Sequence, residues 1–163
     1  MDESDVPESI SGRAAFSDKL AELISGAQTE LALLSLHLSR RIYTQLNVLE
    51  AMKTFALRSE RSRLRVLVAD ARTATADGNS FLDMARKLPS RIQLRELTPE
   101  RRETEGPERL LVDAHGLLEL PAQDRLDAIY YAKAPLRLRE QIRDFNVMWE
   151  EAEPVLELRG FNL

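Results

Sequence analysis

The chain has 163 residues, of which 44% are hydrophobic and 31% are charged, and this length fits one domain with its own buried core. Its 23 Lys and Arg residues face 27 Asp and Glu residues, so the net charge of −4 argues against a strongly basic nucleic-acid binder. Cysteine is absent, which excludes disulfide scaffolds, cysteine-based zinc sites and thiol catalysis.

The N-terminal segment is acidic. Residues 1–8 carry four acids and no base, and they include Pro7. We therefore expect residues 1–12 to form a disordered acidic tail ahead of a single domain over residues 13–163. A signal peptide would be basic at this position, and no apolar run approaches the length of a membrane span. These features predict a cytoplasmic protein without a membrane partner.

Charge is distributed unevenly along the chain. Residues 37–72 hold eight Lys and Arg residues against three acids, whereas residues 140–157 hold six acids against one arginine. A folded chain with this pattern can present a basic and an acidic face, which would steer an anion or pair with a partner or a second copy. The alternative is that the charges are scattered over solvated helix faces.

The first elements alternate between helix and strand. Apolar residues at helical spacing predict a helix over residues 14–27, and the short leucine-rich run 30–38 is typical of a buried strand. Helical spacing returns over residues 43–59. The β-branched segment 63–70 predicts a second strand that ends on Asp70.

The middle of the chain continues the alternation. Residues 71–80 are small and polar and predict a loop. Ser80 followed by Asp83 resembles a capping box for a helix that ends at Pro89. Residues 91–97 alternate between apolar and polar side chains, which predicts a half-exposed strand.

The last part of the chain is richer in strands. Its predicted elements are a mobile charged loop over 98–108, two short strands over 109–121 that turn at 114–116, a strand over 126–133, a helix over 135–152 and a last strand over 155–163. Alternation followed by a run of strands predicts an α/β fold with a mixed β-sheet flanked by helices.

The predicted sheet indicates where a ligand would bind. Clefts in such sheets form beyond the carboxyl ends of the parallel strands. The polar side chains expected at this place are His37, Arg40 and Arg41 after the first strand, and Asp70 and Arg72 after the second. Histidine and arginine in this position favour an anion.

Three segments resemble a known family. They are DGNSFLDMARKLPSRIQLREL (77–97), LLVDAHGLLEL (110–120) and RDFNVMWEEAEPVLELRGFNL (143–163). Together they resemble an uncharacterised bacterial domain family related to the phospholipase D fold, over about residues 15–163. Members of that family occur alone or joined to the C-terminal side of GNAT-type N-acetyltransferases. The resemblance implies a phospholipase D-like half-domain that forms a homodimer or docks on a protein partner, with an N-acetyltransferase as the leading partner.

The resemblance also implies which catalytic groups are missing. Enzymes of this superfamily use a His-x-Lys-x4-Asp motif, whose histidine attacks phosphorus and whose lysine neutralises the phosphate oxygens. If Asp113 matches the aspartate of the motif, Gly106 replaces the histidine and Glu108 replaces the lysine. No histidine lies between His37 and His115. We therefore expect a degenerate active site, no phosphodiesterase activity, no cofactor, and a role as a binding or interaction module.

One alternative is an enzyme or sensor for a small anionic or phosphate-containing ligand. It would bring Asp70, Asp113 and His115 together with Arg40 or Arg41 in one pocket, with perturbed acidities. His115 is otherwise a polar residue in a turn before glycine, and Asp70 only caps the turn that follows it.

A second alternative is an accessory protein that binds nucleic acid weakly. Residues 58–65 form a basic stretch between a helix and a strand, but aromatic residues are not interleaved with it. A metal site has little support, because the chain offers two histidines about eighty residues apart and no metal-ligand spacing.

Overall fold

The computed structural model describes residues 6–76, 78–104, 108–122 and 126–155 of the chain. The strands are β1 (Glu8–Ser11), β2 (Glu30–Ser35), β3 (Arg63–Val68), β4 (Ile92–Glu96), β5 (Glu108–Val112), β6 (Gly116–Ala122), β7 (Asp127–Tyr131) and β8 (Glu153–Pro154). The helices are α1 (Arg13–Gly26), α2 (Arg40–Tyr43), α3 (Leu46–Arg58), α4 (Ala71–Thr75), α5 (Ser80–Lys87), α6 (Pro99–Thr104) and α7 (Pro135–Glu151). Within the described ranges, no helix is long and apolar enough to cross a membrane.

The strands form one mixed sheet in the order β1-β7-β6-β5-β2-β3-β4-β8. Strands β2, β3 and β4 are parallel neighbours, and α3 and α5 lie in the crossovers that join them. Strand β5 runs antiparallel to β2 and leads into the antiparallel strands β6 and β7. The predicted α/β fold with a mixed sheet flanked by helices is confirmed.

Each face of the sheet carries its own apolar layer. Successive residues of a strand point to opposite faces, so Leu33 of β2 lies in one layer and Leu34 in the other. Helices α1, α3 and α5 cover the first face with Phe16, Phe55 and Phe81, among others. Helix α7 covers the second face, with its buried side chains Leu138, Phe145, Met148 and Trp149.

Two arginines of the sheet bind the rings of α7. The Arg95 guanidinium lies 4.4 Å from the centre of the Trp149 ring and donates a 2.7 Å hydrogen bond to the Trp149 carbonyl. The Arg65 guanidinium lies 5.0 Å from the centre of the Phe145 ring, which stacks on Trp149. These cation–π contacts attach α7 to β3 and β4 in addition to apolar burial.

Part of the segment predicted as a disordered tail, residues 8–11, is ordered. Residues 8–11 form the edge strand β1, which pairs antiparallel with β7 and buries Ile10. Four residues with one buried apolar side chain carry no strand pattern of their own, and the strand exists because β7 supplies its hydrogen-bond partners. Residues 1–5 lie outside the described part of the chain.

Two segments predicted as loops contain short helices. Helix α4 lies within residues 71–80, because the Asp70 carboxylate caps it by accepting from Thr73 N. Helix α6 lies within residues 98–108 and begins at Pro99, a residue suited to the first turn of a helix. The cap of α5 is Asn79 rather than Ser80, since the Asn79 side chain accepts from Phe81 N.

The structure has a two-residue strand just before the predicted last strand, which spans residues 155–163. Strand β8 consists of Glu153 and Pro154 and pairs with Glu96 and Arg95 of β4. Of the predicted strand, Val155 is described and lies outside any strand, and residues 156–163 lie outside the described residues.

Candidate functional site

The carboxyl ends of β2, β3 and β4 meet at one edge of the sheet. Ser35, Val68 and Glu96 are aligned across the three strands. Because β5 runs antiparallel to β2, its first residue, Glu108, lies at the same edge. We call this edge the sheet mouth; it comprises residues 35–43, 69–73, Glu96, Arg102 and Glu108.

Glu108 is buried at the sheet mouth, with 4% of its surface exposed. The hydroxyl group of Tyr43, a residue of α2, donates a short hydrogen bond to Glu108 Oε2. Leu36 N donates to Glu108 Oε1 at 3.3 Å, and the Ser35 hydroxyl also bonds the carboxyl group. The carboxyl group is therefore turned into the protein and joins β5 to the segment that follows β2.

Burial changes the acidity of both partners. Desolvation raises the pKa of Glu108, although the hydrogen bonds from Tyr43, Ser35 and Leu36 and the nearby His37 act in the opposite direction. Desolvation, together with the adjacent Glu108, raises the pKa of Tyr43 well above its ordinary value. The site thus favours the protonated forms of both groups.

The space beside Glu108 is too small for a substrate. A cavity of about 10 Å³ lies between Glu108, Tyr43 and apolar side chains of α1, β2, β5 and β6. Such a volume holds at most a single water molecule. An organic ligand would have to bind on the outer side of the sheet mouth.

The connection after β2 is held in an uncommon conformation. Leu38 has a φ of 50° and is 1% exposed, and bulky residues rarely adopt this left-handed region. The Ser35 hydroxyl accepts from Leu38 N at 3.1 Å, and Asn79 Nδ2 donates to the Leu38 carbonyl at 3.1 Å. These bonds fix the turn that presents the exposed His37.

Asp70 and Glu96 occupy the ends of the next two strands. The Asp70 carboxylate accepts from Thr73 Oγ1 at 2.6 Å and from Thr73 N at 3.1 Å. These two bonds lower the pKa of Asp70, and the nearby His37 and Arg102 add to the effect. Glu96 accepts from Ala71 N at 3.0 Å and pairs with Arg102 at 3.1 Å. Asp70 therefore caps α4, and Glu96 binds the first residue of α4 and Arg102.

Three predicted anion-binding residues lie exposed at the sheet mouth. Arg40 and Arg41 are in α2 and Arg72 is in α4. Within the described part of the chain, none of the three forms an ion pair with a carboxylate. The outer side of the sheet mouth thus carries three exposed arginines, and the exposed His37 lies at the same edge.

The structure places Asp113 and His115 at the opposite edge of the sheet. Val112 pairs with Leu31 at the start of β2, so Asp113 lies about 17 Å along β2 from the sheet mouth. The expectation that Asp70, Asp113 and His115 share one pocket is therefore wrong, because β5 is antiparallel to β2 and carries its last residue to the far edge.

At this far edge, Asp113 holds the backbone that leads into β2. Its carboxylate accepts from Gln28 N, Thr29 N and Glu30 N at 2.9 to 3.0 Å. Partial burial opposes ionisation, but these backbone bonds outweigh it and lower the pKa of Asp113. His115 Nε2 lies 3.9 Å from the carboxylate, and His115 is exposed. Asp113 also has a φ of 51° in the turn between β5 and β6, which aspartate tolerates well.

No cation site emerges from the described residues. They contain no group of three or more His, Asp and Glu side chains arranged to hold a metal ion. The carboxylates of Asp70 and Glu96 are bound by backbone N–H groups, a threonine and an arginine instead.

Sequence patterns do not single out Tyr43 or the burial of Glu108. Glu108 and Arg109 precede the apolar residues 110–112 of β5, and this short run is the one local sign that the Glu108 side chain is enclosed. Its partner Tyr43 is 65 positions away, so no spacing within one element connects them.

Comparison with known families matches residues 12–161 to a family described as a domain of unknown function, DUF7931. The chain belongs to the DUF7931 family. Comparison of the sequence with curated proteins finds no match.

The fold of the DUF7931 domain is similar to that of phospholipase D-family structures. NucT from Helicobacter pylori has a TM-score of 0.70 and 9% identity, and the alignment covers 91% of this chain and 98% of NucT. Nuc from Salmonella typhimurium, a phospholipase D family member, has a TM-score of 0.60 and 12% identity, with coverage of 91% and 98%. The expected phospholipase D-like fold is thereby confirmed.

A third similar structure is TrmBL2, an archaeal chromatin protein with a novel mode of DNA binding. Its TM-score is 0.65 at 17% identity. The alignment covers 91% of the DUF7931 chain and 53% of TrmBL2, so the chain spans about half of that protein. At these identities the three structures are similar in fold.

Proposed function

We propose that this DUF7931 domain is a non-catalytic phospholipase D-like binding or interaction module. The observation that carries the proposal is the environment of Glu108. By the resemblance of the sequence, Glu108 stands where active relatives have the phosphate-binding lysine. Here it is an acid that faces inward and bonds Tyr43 and Leu36 N.

Phosphodiester hydrolysis requires groups that this position does not supply. A nucleophile must attack phosphorus, and a cation must stabilise the charge that develops on the phosphate oxygens. A buried carboxyl group provides no positive charge and would repel a phosphate when ionised. The nearest histidine at the sheet mouth, His37, lies on the turn after β2 rather than on β5.

The partner in this proposal is an N-acetyltransferase or a second copy of the chain. The acetyltransferase follows from the family resemblance, in which related domains are fused to such enzymes. The sheet mouth is the proposed contact surface, because its exposed arginines can bind the carboxylates of a partner.

A second candidate function is the binding of a small anionic ligand at the sheet mouth. It is favoured by the three exposed arginines Arg40, Arg41 and Arg72, which lie at one edge with the exposed His37. Inorganic phosphate and a nucleoside monophosphate are suitable probes, since a ligand of the folded state raises the melting temperature. A rise that Arg40→Glu/Arg41→Glu removes would support this function.

The test of the main proposal has two arms. In the first, wild type and His37→Ala are assayed against bis(4-nitrophenyl) phosphate and DNA. We expect no turnover by either protein, and turnover that His37→Ala abolishes would overturn the proposal.

In the second arm, tagged proteins are used to capture partners from nuclease-treated host lysate. We expect an acetyltransferase or another defined protein with wild type and with the charge-matched control Arg139→Glu/Arg143→Glu, whose exposed side chains lie on α7. Arg40→Glu/Arg41→Glu should lose it. Recovery of the tagged chain alone, with no dimer in sedimentation, would contradict an interaction module.

A further inference from the structure

Four arginines lie at the edge of the sheet opposite the sheet mouth. Arg63 begins β3, and the pairing of Leu64 with Ile92 places it beside Arg91, which precedes β4. Arg58 ends α3, and Arg61 lies in the short connection from α3 to β3. We call Arg58, Arg61, Arg63 and Arg91 the arginine row.

Backbone carbonyl groups hold three members of the row. Arg58 donates to the Ser25 carbonyl. Arg63 Nη1 donates to the carbonyls of Glu60 and Ser62 at 2.7 and 2.8 Å. Arg91 Nε donates to the Ser59 carbonyl at 3.2 Å, and its Nη1 donates to Ser90 Oγ at 2.8 Å. Each guanidinium keeps further N–H donors, because arginine has five.

The helix ends explain why the arginines gather here. Helix α1 ends at Gly26 and α3 ends at Arg58, so both C-termini point to this edge. Carbonyl groups at a helix C-terminus carry partial negative charge and attract cations. These carbonyl groups orient the arginines but carry only partial negative charge. Most of the positive charge of the guanidinium groups therefore stays available to a ligand.

The positive charge of the row is not neutralised by direct ion pairs. Within the described ranges, none of the four arginines pairs with a carboxylate, and the exposed Arg61 side chain forms no hydrogen bond or ring contact. Glu60 and Glu30 are the exposed acids beside the row. Four cations thus face these two exposed acids, and the partly buried Asp113 lies at the same edge beside Glu30.

We infer that the arginine row is a binding surface for the phosphodiester backbone of a nucleic acid. Planar guanidinium groups bind phosphate oxygens through paired N–H donors, and neighbouring strands about 4.8 Å apart carry Arg63 and Arg91. No exposed aromatic side chain accompanies the row within the described residues, and Leu57 is the large apolar side chain exposed beside it. The contact is therefore electrostatic and independent of base sequence.

This inference stands apart from the proposed function. The sheet mouth and the arginine row lie at opposite ends of β2, about 17 Å apart. A partner bound at the sheet mouth leaves the row accessible, and loss of one surface does not imply loss of the other.

The experiment measures binding of fluorescently labelled DNA duplex and single-stranded DNA by anisotropy, between about 50 and 200 mM salt. We expect dissociation constants of about 10⁻⁴ to 10⁻⁶ M for wild type, as for non-specific binding. On duplex DNA each phosphate contact contributes about −0.9 to the slope of the logarithm of the association constant against the logarithm of the salt concentration. Four contacts should therefore give a slope of about −3.6. Arg61→Ala should reduce this slope by about 1, and Arg61→Glu/Arg63→Glu should abolish binding.

The control is Arg139→Glu/Arg143→Glu, which changes net charge equally on exposed positions of α7. It should keep binding within about twofold, because general repulsion is screened at these salt concentrations. Arg61→Ala alone tests the row without removing any of its carbonyl contacts. No binding by wild type at the lowest salt, equal loss in the control, or binding of polyglutamate or anionic vesicles through the row in place of DNA would each overturn the inference.

Discussion

Tyr43 and Glu108 are 65 positions apart in the chain, yet the tyrosine hydroxyl donates a hydrogen bond to the glutamate carboxyl group inside the protein. One residue lies at the end of α2 and the other at the start of β5, so the bond joins the two elements that flank the end of β2. Both side chains are almost fully enclosed. The bond therefore joins β5 to the segment that follows β2.

Tyr43→Phe tests the strength of this bond. The variant keeps the ring in the core but removes one donor from the buried carboxyl group. We expect the free energy of unfolding to fall by about 1 to 3 kcal/mol in denaturant titrations, the range for an unsatisfied buried polar group. Tyr131→Phe, which keeps the ring near Arg137, is the control and should change stability by less than about 0.5 kcal/mol. Equal losses in both variants would show that the bond adds nothing.

Glu108→Gln tests the raised pKa through its pH dependence. A carboxyl group with a folded pKa above its ordinary value of 4.5 holds its proton more tightly in the folded state. Its stabilising contribution is present below pH 4.5 and is lost as the pH rises through the folded pKa, at up to about 1.4 kcal/mol per pH unit.

Glutamine does not titrate, so the stability of Glu108→Gln relative to wild type should increase with pH above 4.5. Denaturant unfolding of the two proteins at several pH values from 4.5 upward measures this difference. Parallel stability curves would mean that the burial of Glu108 does not alter its acidity.

Asp113→Ala tests the structural assignment of Asp113. The carboxylate accepts three backbone N–H bonds, and its lowered pKa means that its contribution is present above pH 3.8 and is lost as the pH falls through the folded pKa. We expect a loss of about 1.5 to 3 kcal/mol at neutral pH, measured by denaturant unfolding, as for hydrogen bonds to charged groups.

Asp113→Asn provides the matched comparison. Asparagine keeps one acceptor oxygen and tolerates the positive φ, so this variant should lose less than Asp113→Ala. Ligand or partner binding at the sheet mouth should be unchanged in folded Asp113→Asn. A specific loss of such binding would show that Asp113 contributes to ligand binding.

Trp149→Ala tests the attachment of α7. The tryptophan is 6% exposed and contacts the Arg95 guanidinium and the Phe145 ring. Removing a buried tryptophan ring should cost about 3 to 5 kcal/mol in thermal or denaturant unfolding. Val147→Ala on the same helix, at a side chain that is 45% exposed, should cost less than about 0.5 kcal/mol. A small loss at Trp149 would mean that α7 packs on the sheet without its help.

The element order could be read largely from local pattern. The strands around Leu33 and Val66 are apolar on both faces because helices cover the sheet on both sides, and α7 follows from its apolar stripe through Phe145 and Trp149. Each of these signals lies within one element. Helices α4 and α6 were missed because each is short and carries no apolar stripe long enough to show a period.

The candidate site was harder to predict because it depends on the direction of β5. The position of Asp113 beside β2 is a tertiary property, and the antiparallel pairing of Leu31 with Val112 places it at the far edge. His37 and Asp70 could be placed at one edge because both follow parallel strands. The inward orientation of Glu108 required its contact with Tyr43, which no local pattern encodes.

Strand β1 has a practical consequence for truncated forms of the protein. The family match begins at residue 12, just after β1 ends at Ser11. Lys19 contacts both Glu8 of β1 and the Tyr130 ring of β7, so β1 is attached to the domain by side chains as well as by its ladder. A chain cut to the matched region would leave the N–H and C=O groups of β7 uncovered, and such bare edges join other sheets. We therefore expect the domain to self-associate less through β7 when residues 8–11 are retained.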